Sequence, residues 1–287
     1  MDIISFKVEK EVNILKYKYN IIQSPFDVVL YTIGYNNYIN YNEYYGIEQR
    51  KDIKPQIEKE YHIPVLYLNL KIIKKELDLK EDIAIELYEI IKFYKINNIL
   101  DLDKNIKFKN NIKEKTTTYF DLNVFKNDFS TYNALPLNNV LYKNLFKKYN
   151  QKDNLIIRFL NLSSLFTLKF LCILSNIFNE IYIHKPLSTL HTNIKYIICL
   201  NFKKEFSEKK LEISKDLFVI DMYEEYNVLE LFKEQIKKIN INLNNLKFKT
   251  INEIYHYIVN NNYFGEDYNK YLKRQEENTN NFLKMLQ

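Results

Sequence analysis

Apolar residues along this chain fall into two rhythms. Between residues 81 and 96 they recur every three or four positions, at Ile83, Leu87, Ile90, Ile91 and Tyr94, which predicts an amphipathic helix. From residue 155 onward the runs are short and continuous. Residues 155–160 read as a strand, Ser163 or Ser164 caps a helix reaching about Phe178, and 181–184 read as a second strand that Lys185-Pro186 breaks. Residues 195–202 read as a third strand. Strand, helix, strand at this spacing predicts a right-handed parallel crossover, and the short return after it predicts an antiparallel neighbour. Elsewhere, two short β-branched runs lie within residues 1–30, and 62–70 and 98–103 read as strands, the latter ending in acid. The polar stretch 104–118 reads as a loop or edge, 217–220 as a short strand, and 137–149, 224–239, 250–260 and 268–286 as helices. The class is α/β. No internal repeat or Gly/Ser linker marks a boundary, so the expectation is one domain over residues 1–287.

Composition changes what a polar stretch means here. Ile (38), Lys (39), Asn (38), Tyr (25) and Phe (19) make up over half of the 287 residues, and their codons are A/T-rich. Gly (3), Pro (5) and Arg (only Arg50, Arg158 and Arg274) are scarce and Trp is absent. A very A/T-rich genome explains both skews, and a Lys-rich or Asn-rich run then carries little functional weight. The six tyrosines between Tyr31 and Tyr45 fit a stacking or partner-binding surface, but the same skew accounts for them. Hydrophobic residues at 46 % and charged residues at 27 % exclude a disordered tail, a collagen-like chain and a coiled-coil rod. The net charge of +6 permits RNA or an acidic partner without demanding either. Two cysteines, Cys172 and Cys199, exclude a disulfide scaffold. Residues 1–12 lack a basic-then-apolar signal, and the apolar stretch 155–178 is interrupted by Arg158, Asn161, Ser163, Ser164, Lys169 and Asn176. The expectation is a soluble, intracellular protein.

Candidate chemistry is sparse. Phosphate-cradling loops need glycine where backbone amides approach the ligand, and Gly34, Gly46 and Gly265 are too far apart to build one. His184, His191 and Cys199 lie close in sequence, but a structural zinc site supplies four ligands, often as close pairs, so buried thiols and ordinary histidines are the better reading. His62 and His256 have no nucleophile motif beside them. Asp101 and Asp103 could pair as acid and base, although acids after a strand more often face water or cap a helix.

Residues 155–203 carry a more specific pattern. A strand contains Arg158, a long helix ends in the aromatic Phe178, a strand ends in Lys185-Pro186, and Ser188, Tyr196 and the final strand Ile197-Ile198-Cys199 follow. This order resembles the C-terminal half of the FtsJ-like ribose 2′-O-methyltransferases, including the cap-specific ones. The departures are informative. Arg158 stands where that family has its catalytic Lys, and Ile194 stands where it has its catalytic Glu, with one residue missing from the turn. Guanidinium has no accessible neutral form and Ile has no acid–base chemistry. In 99–102 a strand ends in acid, but Asp103 and Lys104 occupy the places of the family's cofactor-loop glycines.

A methyltransferase-like chain with such degenerate positions resembles the small, regulatory subunits of poxvirus mRNA capping enzymes. The helix 84–97, the element 120–125 and the C-terminal helical segment from Tyr255, with its charged end 270–287, fit the same pattern. The resemblance implies a truncated Rossmann-like methyltransferase fold, with a mixed, mostly parallel sheet flanked by helices and no cofactor-binding loop. It divides the chain into an extension over about residues 1–75, a degenerate core over about 76–225 and C-terminal helices over about 224–287. It implies no catalytic residue (Arg158 and Ile194 being degenerate), no cofactor and no metal. The partner it implies is the capping enzyme's large, catalytic subunit, whose guanine-N7-methyltransferase domain the small subunit binds and stimulates. RNA and viral RNA polymerase would be met through the complex. Roles in early transcription termination and intermediate-gene initiation, in virion and host cytoplasm, belong to that family. The alternatives are an active cap ribose 2′-O-methyltransferase and an RNA-binding accessory protein using Lys and Tyr surfaces.

Overall fold

The computed structural model describes residues 2–17, 22–24, 64–96, 99–101, 117–121, 153–159, 162, 165–203, 218–221, 223, 225–259 and 265–286. Tyr31, Tyr45 and the residues between them, His62, Asp103, Lys104, Ser163, Ser164 and the helix expected over 137–149 lie outside these residues. The strands are β1 (Ile4–Val8), β2 (Ile22–Ser24), β3 (Ile99–Asp101), β4 (Thr117–Asp121), β5 (Asn154–Phe159), β6 (Phe178–Lys185), β7 (Lys195–Phe202) and β8 (Phe218–Asp221). The helices are α1 (Leu70–Glu76), α2 (Asp82–Tyr94), α3 (Leu165–Ile177), α4 (Glu230–Val259) and α5 (Gly265–Leu286).

Six strands form one sheet in the order β1-β6-β7-β5-β4-β3, and β2 pairs with β8 in a second, two-stranded sheet. β1, β6, β7 and β5 make an antiparallel run, and only β4 and β3 join in parallel. The expected mostly parallel sheet is therefore not what forms. The reasons are β1, which joins β6 antiparallel, and the connection after β6, whose short return is antiparallel as the sequence predicts. Residues 186–194 contain a single 3-10 turn (Leu187–Thr189), and a parallel return needs a crossover of a dozen residues or more. β7 must come back antiparallel, and it does so between β5 and β6. Since β5 and β6 both oppose β7, they run in the same direction, joined by α3.

Both faces of this sheet are covered. Leu155, Ile157, Phe159, Ile181, Ile183, Ile197 and Cys199 pack with α3 and with Phe232, Ile236, Ile239 and Leu243 of α4. The alternate residues Ile156, Tyr196 and Ile198 pack against Leu87 and Ile90 of α2. Period-two alternation inside continuously apolar strands is the signature of a sheet buried on both sides. At the margin of the sheet, the Glu9 amide donates to Gln235 Oε1 (3.3 Å) and Gln235 Nε2 donates to the Lys7 carbonyl (3.4 Å).

Four local expectations need correction. The strand expected over 62–70 is, in its described part, a turn followed by α1. Its backbone groups are taken by α5 instead of a strand: Gln275 Nε2 donates to the Leu66 and Leu68 carbonyls (3.0 and 3.4 Å), and the Asn69 amide donates to Thr279 Oγ1 (2.9 Å). Asn69 then caps α1 by accepting from the Ile72 amide at 3.2 Å. Thr117 and Thr118, read as loop or edge, begin β4, which lies between β5 and β3, as suits a β-branched and aromatic run. The helix expected to reach about Phe178 does end there, at Ile177, but the strand expected over 181–184 already begins at Phe178. The separate helices expected over 224–239 and 250–260 are one helix, α4, because Ile236, Ile239, Leu243, Ile251 and Ile254 keep helical spacing through the polar stretch between them. Among the described residues, no helix is long and apolar enough to cross a membrane.

Candidate functional site

The most chemically loaded part of the described fold is the contact between α2 and the sheet. Helical spacing turns Ala84, Ile85, Leu87 and Ile90 inward, and Glu86 and Glu89 go with them, 2 % and 0 % exposed. Below the helix the strand registers line up a polar row. Arg158 of β5 lies opposite Tyr196 of β7, Tyr196 lies opposite His184 of β6, and His184 lies opposite Ser5 of β1. All four sit on the face that α2 covers.

The two carboxylates bind this row. Arg158 Nε and Nη2 donate to Glu86 Oε2 (3.0 Å) and Oε1 (3.2 Å), a bidentate pair, and the Tyr196 hydroxyl donates to Glu86 Oε2 at 2.5 Å. His184 Nε2 bonds Glu89 Oε1 at 2.9 Å, and the Leu187 amide donates to Glu89 Oε2 at 3.0 Å. His184 Nδ1 stands 3.4 Å from the Tyr94 hydroxyl, which lies 2.5 Å from Ser5 Oγ. Desolvation is the main reason the Tyr94 hydroxyl is pushed well up from its ordinary value. Buried ions are tolerated only when paired and hydrogen-bonded, and this network meets that condition. Chemically it is a fastener. The guanidinium cannot take a proton, and the carboxylate beside it is engaged by three donors.

A second polar cluster gathers on the turn between β6 and β7. Lys185 Nζ donates to the carbonyls of Thr192 (2.8 Å) and Ile194 (2.7 Å), so Ile194 meets this cluster through its backbone while its side chain packs with the apolar residues under α2. Lys195 Nζ donates to the Asn193 carbonyl (3.1 Å) and lies 5.7 Å from the Phe159 ring centroid, and Lys247 of α4 donates to Asn193 Oδ1 (2.9 Å). Burial, aided by Lys247, pulls Lys195 down to about 7. Burial, with Lys195 and other cations, takes Lys185 well below its ordinary value. His191 falls to about 4 through burial and then the charges of Lys185 and Lys247. Ser188 Oγ is buried on this connection and meets no hydrogen-bond partner among the described residues.

The remaining candidates do not converge. His184 is on the α2 face, Cys199 faces α3 on the other side, and His191 is in the turn, so the three cannot share an ion. Among the described residues no group of three or more His, Cys, Asp or Glu is placed to hold a metal. Both cysteines are free and buried, and desolvation raises both thiols. Asp101 closes β3, and His256 lies in the last turn of α4. Sequence reasoning missed Glu86 and Glu89. The signal was present: two carboxylates three residues apart inside the apolar stripe of a helix ask for buried partners.

The fold and site thus define a mixed α/β protein with a polar, fully engaged helix-to-sheet seam. The chain matches no protein-family model and no curated protein.

Proposed function

We propose that this chain is a non-catalytic regulatory subunit of a heterodimeric viral mRNA capping enzyme, with a degenerate, truncated methyltransferase-type fold. It binds the guanine-N7-methyltransferase domain of a large subunit and stimulates it. One observation carries the reading. Where the FtsJ-like resemblance puts a proton-accepting Lys, Arg158 is held through Nε and Nη2, along one edge of its guanidinium, by both oxygens of Glu86. A group held in this way supports the packing of α2 and has no proton to exchange with a ribose hydroxyl. The order of β5, α3, β6, turn and β7, with β7 returned between the two strands before it, also supports a methyltransferase-type sheet end. Stimulation needs only preferential binding to the partner's substrate-competent conformation; a coupling of ~1–3 kcal/mol raises affinity or activity ~5–150-fold.

The test is co-expression with the guanine-N7-methyltransferase domain of a large subunit. The expected result is a 1:1 complex whose cap N7-methylation exceeds that of the isolated domain by a factor in that range. Methylation of capped RNA by this chain alone, with S-adenosylmethionine, would overturn the proposal.

A further inference from the structure

The two carboxylates under α2 differ in what their partners can do with a proton. Around Glu86 the protons are committed: Arg158 cannot lose one, and Tyr196 gives its own to the carboxylate. Around Glu89 they can move. Glu89 Oε2 accepts from the Leu187 amide and Oε1 faces His184 Nε2, both side chains being 0 % exposed. A carboxylate only accepts, so Nε2 carries the ring proton and Nδ1 of the neutral ring is left as an acceptor. Nδ1 stands 3.4 Å from the Tyr94 hydroxyl, which stands 2.5 Å from Ser5 Oγ. Burial keeps the phenolic proton on Tyr94. The groups facing His184 are thus Glu89 and Tyr94 from α2, Ser5 from β1 and Tyr196 from β7. Around them, Tyr182 packs on Tyr94 but donates to Glu180 Oε2, and Tyr67 feels the Glu89 charge from the 64–69 segment. Two arrangements satisfy the chain with the backbone unchanged. With the imidazole neutral, Ser5 donates to Tyr94 and Tyr94 donates to Nδ1. With the imidazolium, Nδ1 donates to Tyr94 and Tyr94 donates to Ser5. Nε2 donates to Glu89 in both, and in the second Glu89 is the counter-ion that a buried charge requires. The outer end of the chain, Ser5, is half-exposed.

We propose that Ser5, Tyr94 and His184 form a proton relay that charges and discharges a wholly buried histidine while α2 stays docked on the sheet. A proton from water joins Ser5 Oγ as the Ser5 proton passes to Tyr94 Oη and the Tyr94 proton passes to His184 Nδ1. Each oxygen gains one proton and loses one, so the only net change is the positive charge on the ring. The relay lets the helix-to-sheet contact respond to pH without opening. It stands apart from the regulatory-subunit reading and does not depend on it.

The experiment is NMR on the full chain, isotope-labelled at histidine and titrated toward acid, with the exposed His256 of α4 as internal control. The neutral ring of His184 is expected to carry its proton on Nε2, and its Hε1 signal is expected to move continuously as the ring charges. In Tyr94→Phe the hydroxyl link is gone and the ring proton must wait for α2 to open. The His184 signal then splits into two of changing intensity, while His256 titrates as before. Ser5→Ala leaves Tyr94 in place and is expected to give the same splitting, which provides the answer should the Phe variant not fold. A neutral ring protonated on Nδ1, or a ring that stays neutral until the chain unfolds, would overturn the relay. So would split signals in the unsubstituted chain, or continuous movement in either folded variant.

Discussion

Arg158 is a structural tie between the sheet and α2. Its pair with Glu86 leaves the two side chains 12 % and 3 % exposed, so removing one partner strands the other charge away from water. Glu86→Gln is expected to cost about 3–5 kcal/mol, read as a lowered urea midpoint with an unchanged slope. Arg158→Lys keeps the charge but loses the two-pronged geometry, so it too lowers the midpoint and brings no methyl transfer. Titration gives a separate residue-scale signature. His191 is held near 4 in the folded chain, so between about pH 6.5 and 4 the unfolded chain binds a proton that the folded chain refuses. Stability from this group is therefore complete above about 6.5 and declines as pH falls toward 4. Lys195, held near 7, has the same sign in a higher window: stability rises from pH 7 to about 10.5. Urea midpoints measured across pH should show both slopes, and His191→Gln should flatten only the acidic one.

Among the elements, α1 is the short helix that depends most on others. It spans seven residues, too few to hold by themselves, and its entry is fixed by Asn69 and by α5 side chains. Asn69→Ala should lower stability by about 1 kcal/mol and speed amide exchange across residues 64–76, as followed by hydrogen-exchange mass spectrometry. This element also marks the boundary of what the sequence disclosed. Strands β5 and β7 and helix α2 were legible because burial on both faces, or on one stripe, writes itself as continuous or 3.6-periodic apolar residues. The segment 64–69 was not, because Val65 is buried against α4 and α5 and Leu68 against α5, far away in the chain, and their apolar look mimics a strand. The seam of Arg158, Tyr196, His184 and Ser5 was invisible for a related reason. It is created by the register of four strands, and no local pattern in any one of them announces it. The antiparallel β7 was legible in the short connection after β6; the mostly parallel sheet, implied by the resemblance, does not form because β7 and β1 both join antiparallel.

At the level of the whole molecule, helices close both faces of the sheet, and the α2 face is closed with buried charge. A fold of this kind, read as a regulatory subunit, should act through its outer surface. Calorimetry of the isolated chain with S-adenosylmethionine is accordingly expected to give no saturable heat, and tight stoichiometric binding would contradict the proposed function. Among the described residues the sheet ends at β1, and there the amide of Gln235 answers the Lys7 carbonyl of that strand and the Glu9 N–H just past it. A primary amide presents the same donor and acceptor as a peptide group, so a single side chain imitates the first rung of a seventh strand. That imitation occupies the template on which a neighbouring molecule would otherwise begin to assemble. Replacing Gln235 with Val should leave the interior intact and yet shift the protein toward oligomers under light scattering, which makes one solvent-facing glutamine a guard of colloidal stability.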